Sequence, residues 1–230
     1  MTSRTSPASP PAEVGAARSD ARPDARVASW RTDARGSAQL VVGLLLYALS
    51  MAVMVRAGLG ALPWDVLTQG LTHRLPLSFG AITALTSLVV LLCWWPLRQR
   101  PGLGTVANVV VIALAVDPAL ALVGLLPPLG LPARVALVVV GIVLNAVATA
   151  LYIGVGLGPG PRDGLMTGLV GRTGWPLAPV RIGIEVAVVG VGALLGGTLG
   201  LATLAYALGV GPLVHVLLPR LTRPGVRARH

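Results

Sequence analysis

Asp65 and Asp163 are two of the four acidic side chains that follow the N-terminal 36 residues, and both stand in the same sequence frame. The frame reads G-L-G-x-x-P-x-D-x-L-x-x-G-L-x-x-R, and its copies occupy residues 58–74 and 156–172, 98 positions apart. A carboxylate inserted into a bilayer costs about 2.5–3.5 kcal/mol and usually has a function there. The two aspartates therefore predict a polar site that binds a substrate or an ion.

Each copy of the motif contains two glycines that can end a helix, a proline suited to the first position of a new helix, and an aspartate near the positive end of that helix. These residues are Gly58, Gly60, Pro63 and Asp65 in the first copy, and Gly156, Gly158, Pro161 and Asp163 in the second. The new helix has only about 10–12 residues, or ~15–18 Å, which is too short to span a bilayer. We expect it to lie at the interface or to dip into the membrane and return.

Two interpretations of the motif stay open. In the structural one, glycine and proline break the helix, aspartate pairs with the helix dipole, and Arg74 and Arg172 anchor the helix ends at lipid headgroups. In the functional one, the two short helices approach each other, and their N-terminal amides and aspartates form a central polar site or paired gates. Arg74 and Arg172 are then gate residues.

Other polar side chains in apolar surroundings are further candidates for substrate or ion binding: Trp64, Gln69, Arg162, Asp117, His215 and Glu185. Gln69 shares a helical face with Asp65. Arg162 adjoins a glycine-rich turn whose amides could bind an anion, although a simple tight turn explains the same residues.

The remaining candidates have simpler alternatives. Asp117 and its repeat mate His215 suit a proton-coupled role, but Asp117 could equally face the outer headgroups. Glu185 lies four residues after Arg181, and an ion pair along one helix is the simpler interpretation of that spacing. Asn108 and Asn145 are expected to form hydrogen bonds between helices.

The composition is that of a polytopic membrane protein: 54% of residues are hydrophobic, 11% are charged, and the mean hydropathy is +0.80. The net charge of +10 comes from arginines scattered over tails and connectors, so nucleic acid is not expected as a partner. No Walker loop, H-E-x-x-H motif or Cys/His cluster is present, so we expect no enzyme activity, no metal and no cofactor. Cys93 lies in an apolar run and is expected to be buried.

Six apolar segments predict an all-α protein with six transmembrane helices, at about residues 38–56, 78–97, 104–127, 134–155, 177–196 and 200–219. The last two are expected to form a tight hairpin, with one fused kinked helix as the alternative. The 98-residue offset covers nearly the whole apolar region and gives each copy three crossings. Because three is odd, the second copy must enter the membrane upside down, as an inverted 3+3 repeat with two short broken or re-entrant helices.

The domain organisation follows: a disordered basic tail over 1–36, membrane repeats over 37–133 and 134–220, and a basic C-terminal tail over 221–230. Arginine-rich connectors alternate with arginine-poor ones, which places both termini in the cytoplasm and the protein in a cell membrane. The first motif then lies at the outer face and the second at the inner face. Besides the lipid bilayer, the expected partners are a small-molecule substrate and a second copy of the chain. The second copy would pack on a small-residue ridge formed by Gly192, Gly196 and Gly200.

The segments G-L-G-x-x-P-W-D-V-L-x-x-G-L, L-S-F-G at residues 77–80 and G-P-R-D-G-L-M-T-G-L resemble the YczE-like family of bacterial integral membrane proteins, related to the YitT-like group. The resemblance covers about residues 38–220 and implies a multi-pass bacterial membrane protein. Together with the inverted repeat, it leads us to expect a small-molecule secondary transporter or exporter. The alternative is a non-transporting scaffold, or an accessory protein for a membrane partner or a biosynthetic system.

Overall fold

The structure, a computed structural model, describes residues 33–223 as an all-helical fold. Its eight helices are α1 (Ala34–Ala57), α2 (Pro63–Thr72), α3 (Phe79–Leu97), α4 (Leu103–Gly124), α5 (Leu131–Ile153), α6 (Pro161–Thr173), α7 (Leu177–Leu194) and α8 (Leu201–Leu221). All except α2 and α6 are long and apolar enough to cross a membrane, so the prediction of six such helices is confirmed. Residues 1–32 and 224–230, which hold most of the two predicted tails, lie outside the described residues.

The glycine pairs of the motif end helices in the predicted way. Gly58 caps α1 in the left-handed conformation with φ of 62°, and Gly156 has φ of 72° after α5. Gly60 and Gly158 also have positive φ, at 125° and 116°. A side chain would be strained at all four positions. The chain therefore turns sharply after α1 and α5, and the short helices α2 and α6 begin at the prolines.

Polar contacts at the helix ends show how the helices run. The Gln39 side chain near the start of α1 donates 3.0 Å hydrogen bonds to the carbonyls of Leu151 and Leu221, late in α5 and α8. At the other end of α1, the Arg56 guanidinium donates to the carbonyls of Leu126 and Pro127, in the connector between α4 and α5. The Arg134 guanidinium near the start of α5 donates to the Ala57 carbonyl at 2.6 Å. Thus α1 runs antiparallel to α5 and α8. It runs parallel to α4, because both helices end on the same side of the fold.

The contacts between the two halves recur with the 98-residue offset of the sequence. The Gly104 amide at the start of α4 donates to the Leu157 carbonyl at 2.8 Å, and the Ala202 amide at the start of α8 donates to the Leu59 carbonyl at 3.0 Å. The extended segment after the first helix of each half thus lies against the last helix of the other half. The backbone of these two segments is therefore held by equivalent contacts in the two copies.

Helices α7 and α8 are separate, as the hairpin interpretation predicted, and their glycines pack within the chain. Gly192 lies against the backbone of Leu67 in α2, Gly196 lies beside His73, and Gly200 lies against the Leu59 carbonyl. The predicted ridge therefore brings α7 and the connector to α8 close to α2 and the segment before it. Association of two copies through this ridge stays a prediction.

The core lies between α1 and α5, where Leu44, Met51, Met54 and Ala146 are completely buried. Large apolar side chains cover the outside, such as Trp95 at 88% exposed and Leu194 at 85%, which is the surface that a lipid-embedded protein presents. Cys93 is exposed, so the prediction that it is buried was wrong. It lies on the outward face of α3 near Leu92 and Trp95, and an apolar run does not reveal which of its faces is outward.

Candidate functional site

The N-termini of the two short helices meet inside the protein. The guanidinium of Arg162, in the first turn of α6, lies 5.0 Å from the ring centroid of Trp64, in the first turn of α2. Its Nη2 atom is 3.9 Å from the Asp65 Oδ1 atom. Trp64 and Arg162 occupy the same position in the two motif copies, so repeat mates touch each other. Each motif therefore contributes one side of a shared site.

Asp65 is completely buried, and neither of its carboxylate oxygens accepts a hydrogen bond from any residue in the described part of the chain. The buried Trp64 Nε1 atom also lacks an acceptor there. Burial raises the pKa of the Asp65 carboxyl to about 7, and the Arg162 charge offsets part of that effect. Buried polar groups almost always have hydrogen-bonding partners, so an exception at the meeting point of two helices suggests a function.

Asp163, the repeat mate of Asp65, is only partly buried and accepts a hydrogen bond from the Tyr152 hydroxyl. Burial raises the pKa of the Asp163 carboxyl, while the Tyr152 hydroxyl and the charges of Arg181 and Arg162 lower it in part. The residue equivalent to Tyr152 in the first half is Met54, whose thioether cannot donate a hydrogen bond. The first half therefore has no hydroxyl donor at the position from which Tyr152 donates to Asp163.

Two cavities lie beside Asp163, which lines both, whereas Asp65 is fully buried and lines neither. The larger has a volume of about 180 Å³ and is lined by residues of α1, α3, α4, α5, α6, α7 and α8. The smaller, of about 50 Å³, lies against the start of α2 and includes Trp64 in its wall. Five side chains line both cavities and form the partition between them: Tyr47, Arg162, Asp163, Arg181 and Tyr206. We call these five residues the partition.

Buried hydrogen bonds hold the partition in place. The Tyr206 hydroxyl donates to the Asn145 Oδ1 atom at 2.8 Å, and the Asn145 Nδ2 atom donates to the Ser50 hydroxyl at 2.8 Å. These two hydrogen bonds confirm the prediction that Asn145 bonds to neighbouring helices, and they link α8, α5 and α1. The Tyr47 ring packs edge-to-face on Tyr152, with centroids 6.2 Å apart. Such fully bonded networks rigidify a core.

Several predicted site residues have other roles in the structure. The Gln69 Oε1 atom accepts a hydrogen bond from the Thr198 amide, and the Asp117 Oδ1 atom accepts one from the Gly80 amide near the start of α3. His215 is exposed on α8 and lines neither cavity. Arg74 and Arg172 are exposed, near the ends of α2 and α6 away from the partition.

Glu185 lines the smaller cavity and holds the Arg181 Nε atom at 2.9 Å, as the spacing of the two residues predicted. Arg181 itself was interpreted only as the partner of Glu185, whereas its guanidinium is part of the partition. Arg162, which was predicted to adjoin a glycine-rich turn, lies inside the fold against Trp64 and Asp65.

Sequence reasoning missed the tyrosines. The chain has three, Tyr47, Tyr152 and Tyr206, and all of them line the larger cavity. A usable signal was present, because a tyrosine hydroxyl in a membrane-spanning helix needs a hydrogen-bonding partner. Across residues 33–223, no three His, Cys, Asp or Glu side chains come together as a metal-binding group.

Residues 35–219 match a family of unknown function (DUF6198). An uncharacterized protein of Haemophilus influenzae is 39% identical over 187 residues, which cover 79% of this chain and 85% of the relative. This chain belongs to that family. The family match covers both repeats and is not limited to one motif.

Two relatives from Bacillus subtilis extend the comparison. The uncharacterized membrane protein YczE is 28% identical over 181 residues, or 77% of this chain and 83% of the relative. The uncharacterized protein YyaS is 25% identical over 184 residues, or 79% and 92%. The predicted resemblance to YczE-like proteins is confirmed, and the chain is a membrane protein of this family. No solved structure matches it.

Proposed function

We propose that this protein is a secondary transporter of a small molecule, built from two halves that cross the bacterial cytoplasmic membrane in opposite senses. The proposal places both termini in the cytoplasm, the connector after α2 outside and the connector after α6 inside. Many secondary transporters are built this way, with the substrate site at the interface of the two halves near mid-membrane.

The helix directions support the opposite orientation. If α1 runs outward, the contacts at its ends make α5 and α8 run inward and α4 run outward. The first half then crosses outward, inward and outward, and the second half crosses inward, outward and inward. The contacts that recur at a 98-residue offset, and the stacking of Trp64 on its own repeat mate Arg162, fit a two-fold axis in the membrane plane.

The lengths of the short segments support re-entry into the membrane. After α1 ends, residues 58–62 are non-helical, and a five-residue segment can reach back at most roughly 15 Å. Helix α2 then has 10 residues, which rise about 15 Å and return the chain to the same side. Helix α6 has 13 residues and does the same from the opposite side. Irregular backbone at membrane depth is tolerated where it is buried in protein or lines a cavity, which suits the buried Asp65 and the partition.

The observation that carries the proposal is the partition itself. The two cavities share wall residues from α1, α6, α7 and α8, so we expect a modest change of side-chain or helix position to join or separate them. Alternating access requires such a thin barrier around a fixed site. A scaffold has no need of charged, partly unsatisfied groups at its centre.

Cysteine accessibility tests this proposal without knowledge of the substrate. In a Cys93→Ser background, Ser87→Cys places one thiol in the wall of the larger cavity. A small membrane-impermeant thiol reagent should label it in right-side-out vesicles and in inverted vesicles, because a transporter opens its site to each side in turn.

The matched control is Ala52→Cys, which is fully buried in the packing between α1 and its neighbours and lines neither cavity. It should stay unlabelled from both sides. Labelling of Ser87→Cys from one side alone, or from neither, contradicts transport and favours the scaffold interpretation.

A further inference from the structure

We propose that the site exchanges a proton on Asp65 for a small organic monocation held by Asp163, with the Arg162 guanidinium moving between the two carboxylates. This proposal rests on the transporter function proposed above and adds to it a substrate class and a coupling ion.

The cavity limits the size of the substrate. Its volume is about 180 Å³. A dry engineered cavity of about 150 Å³ holds one benzene molecule, which has six carbon atoms. The larger cavity therefore accepts a solute of about six to eight non-hydrogen atoms by the same measure. Larger drug-like molecules do not fit the structure as it stands.

The walls of the cavity favour a cation. Tyr47, Tyr152 and Tyr206 all line it, and aromatic rings attract ammonium groups. The two cationic side chains in the wall each have a carboxylate of their own: Arg181 is bonded to Glu185 at 2.9 Å, and Arg162 has Asp65 at 3.9 Å. Asp163 is left with a neutral donor, the Tyr152 hydroxyl. One negative charge beside three aromatic rings is therefore available to a ligand.

Arg162 connects the two carboxylates. It adjoins Asp163 in the first turn of α6, lines both cavities, and its charge acts on both Asp65 and Asp163. When Asp65 is ionised, it attracts the guanidinium and leaves Asp163 free for the organic cation. When Asp65 is protonated, that attraction ends, and the guanidinium pairs with Asp163 and displaces the cation.

The surroundings of Asp65 contain a small set of charged and titratable groups that could set its protonation. They are Arg162 from α6, the hydroxyls of Tyr47 from α1 and Tyr206 from α8, the Arg181–Glu185 pair from α7, and Asp163. Helix α3, which also packs on α2, contributes no charged residue. Burial already raises the pKa of the Asp65 carboxyl to about 7, which lets it gain and lose a proton at neutral pH.

The exchange is balanced in charge. One proton enters and binds an Asp65 oxygen, and one monocation leaves Asp163 in the same cycle. On the opposite side the proton dissociates to water, Arg162 returns to Asp65, and Asp163 accepts the next cation. No covalent bond other than the O–H bond of Asp65 forms or breaks.

Four probes of nearly equal shape test the substrate class on the purified full-length chain in detergent. They are choline, its neutral isostere 3,3-dimethyl-1-butanol, the zwitterion glycine betaine, and the anion 3,3-dimethylbutyrate. We expect choline to stabilise the protein against thermal unfolding and to bind at least about tenfold more tightly than the other three, because only choline neutralises Asp163 without adding an anion. Choline should bind about tenfold more tightly at pH 8 than at pH 6, because Asp65 ionises in this interval.

Three variants distinguish coupling between proton binding and cation binding from a merely structural role of Asp65, Asp163 and Arg162. Asp163→Asn should lose choline binding at both pH values. Asp65→Asn should bind choline weakly and without pH dependence, because its Arg162 stays with Asp163. Arg162→Gln should bind choline tightly and without pH dependence, because the competing guanidinium is gone. Elution profiles on size exclusion verify that each variant is folded.

Binding of dimethylbutanol, betaine or dimethylbutyrate that is as tight as that of choline or tighter, or no binding of any probe, overturns the proposed substrate class. Choline binding that does not change with pH in the unmodified protein overturns the proton exchange. Neither result affects the accessibility of Ser87→Cys from both sides, so the transporter function stands or falls separately.

Discussion

Asp65→Asn should raise the thermal stability of the protein above pH 7, although it removes a charged group from the proposed site. Asp65 is fully buried and its oxygens accept no hydrogen bond within the described residues, so its charged form destabilises the folded state. Asparagine has a similar shape and carries no charge. We expect a gain of about 2–4 kcal/mol at pH 8, or roughly 5–15 °C in the unfolding midpoint, measured by a thermal unfolding assay in detergent.

The pH dependence of this gain in stability follows from the direction in which folding shifts the pKa of the Asp65 carboxyl. The pKa of the Asp65 carboxyl rises from its ordinary value of 3.8 to about 7 on folding, so the folded state binds the proton more tightly than the unfolded state does. The unmodified protein therefore loses stability as pH rises from about 4 to about 7, and the loss is complete above that range. Asp65→Asn lacks this loss, so the two proteins should differ at pH 8 and converge near pH 4.

Asp163→Asn is the matched control, because it removes the equivalent carboxylate from the second motif. Asp163 accepts a hydrogen bond from Tyr152 and is only partly buried, so its charge destabilises the fold less. Its substitution should raise the midpoint less than Asp65→Asn does. Equal midpoints of the unmodified protein and Asp65→Asn at pH 8 contradict the description of Asp65 as an unsatisfied buried charge.

Gly192→Ala should destabilise the protein strongly and disturb the site from a distance. A Cβ atom at Gly192 would lie 2.5 Å from the Leu67 amide nitrogen and 2.6 Å from the Val66 carbonyl carbon, both backbone atoms of α2. Backbone cannot move aside as a flexible side chain does, so α7 must separate from α2. We expect a loss of about 1–3 kcal/mol or more, which is typical of overpacking. Because α2 carries Trp64 and Asp65, ligand binding should weaken as well.

Gly190→Ala, in the same helix, serves as the control. No atom lies within 4 Å of a Cβ built at this position, and alanine favours a helix more than glycine does. Its unfolding midpoint should equal or slightly exceed that of the unmodified protein. If Gly192→Ala unfolds at the same temperature as Gly190→Ala, α7 does not pack on α2 as described.

The fold was predictable to a large extent because lipid imposes strict rules on a sequence. Six apolar segments of sufficient length had to be spans, and the observed helices begin and end within a few residues of the expected positions. The breaks at Gly58 and Gly156 were also readable, because glycine followed by proline at a fixed spacing ends one helix and starts another. The offset of 98 residues further indicated which segments of the two halves have equivalent backbone contacts.

The composition of the site was only partly predictable, because burial and side-chain direction depend on how the helices pack. Asp117 was a further candidate for substrate or ion binding in the sequence, yet it accepts a hydrogen bond from the Gly80 amide, away from the partition. The tyrosines gave no spacing signal of their own, since each comes from a different helix. Asp163 accepts a hydrogen bond from Tyr152, where the first half has Met54, and this difference between the repeats becomes meaningful only when the contacts are known.

The sidedness of the two connectors tests the opposite orientation of the halves most directly. In a Cys93→Ser background, Leu75→Cys follows α2 and Trp175→Cys follows α6, and both positions are exposed. A membrane-impermeant thiol reagent added to intact cells should label Leu75→Cys and leave Trp175→Cys unlabelled, and inverted vesicles should give the reverse. Labelling of both positions from the same side of the membrane would contradict the opposed halves and, with them, the shared central site.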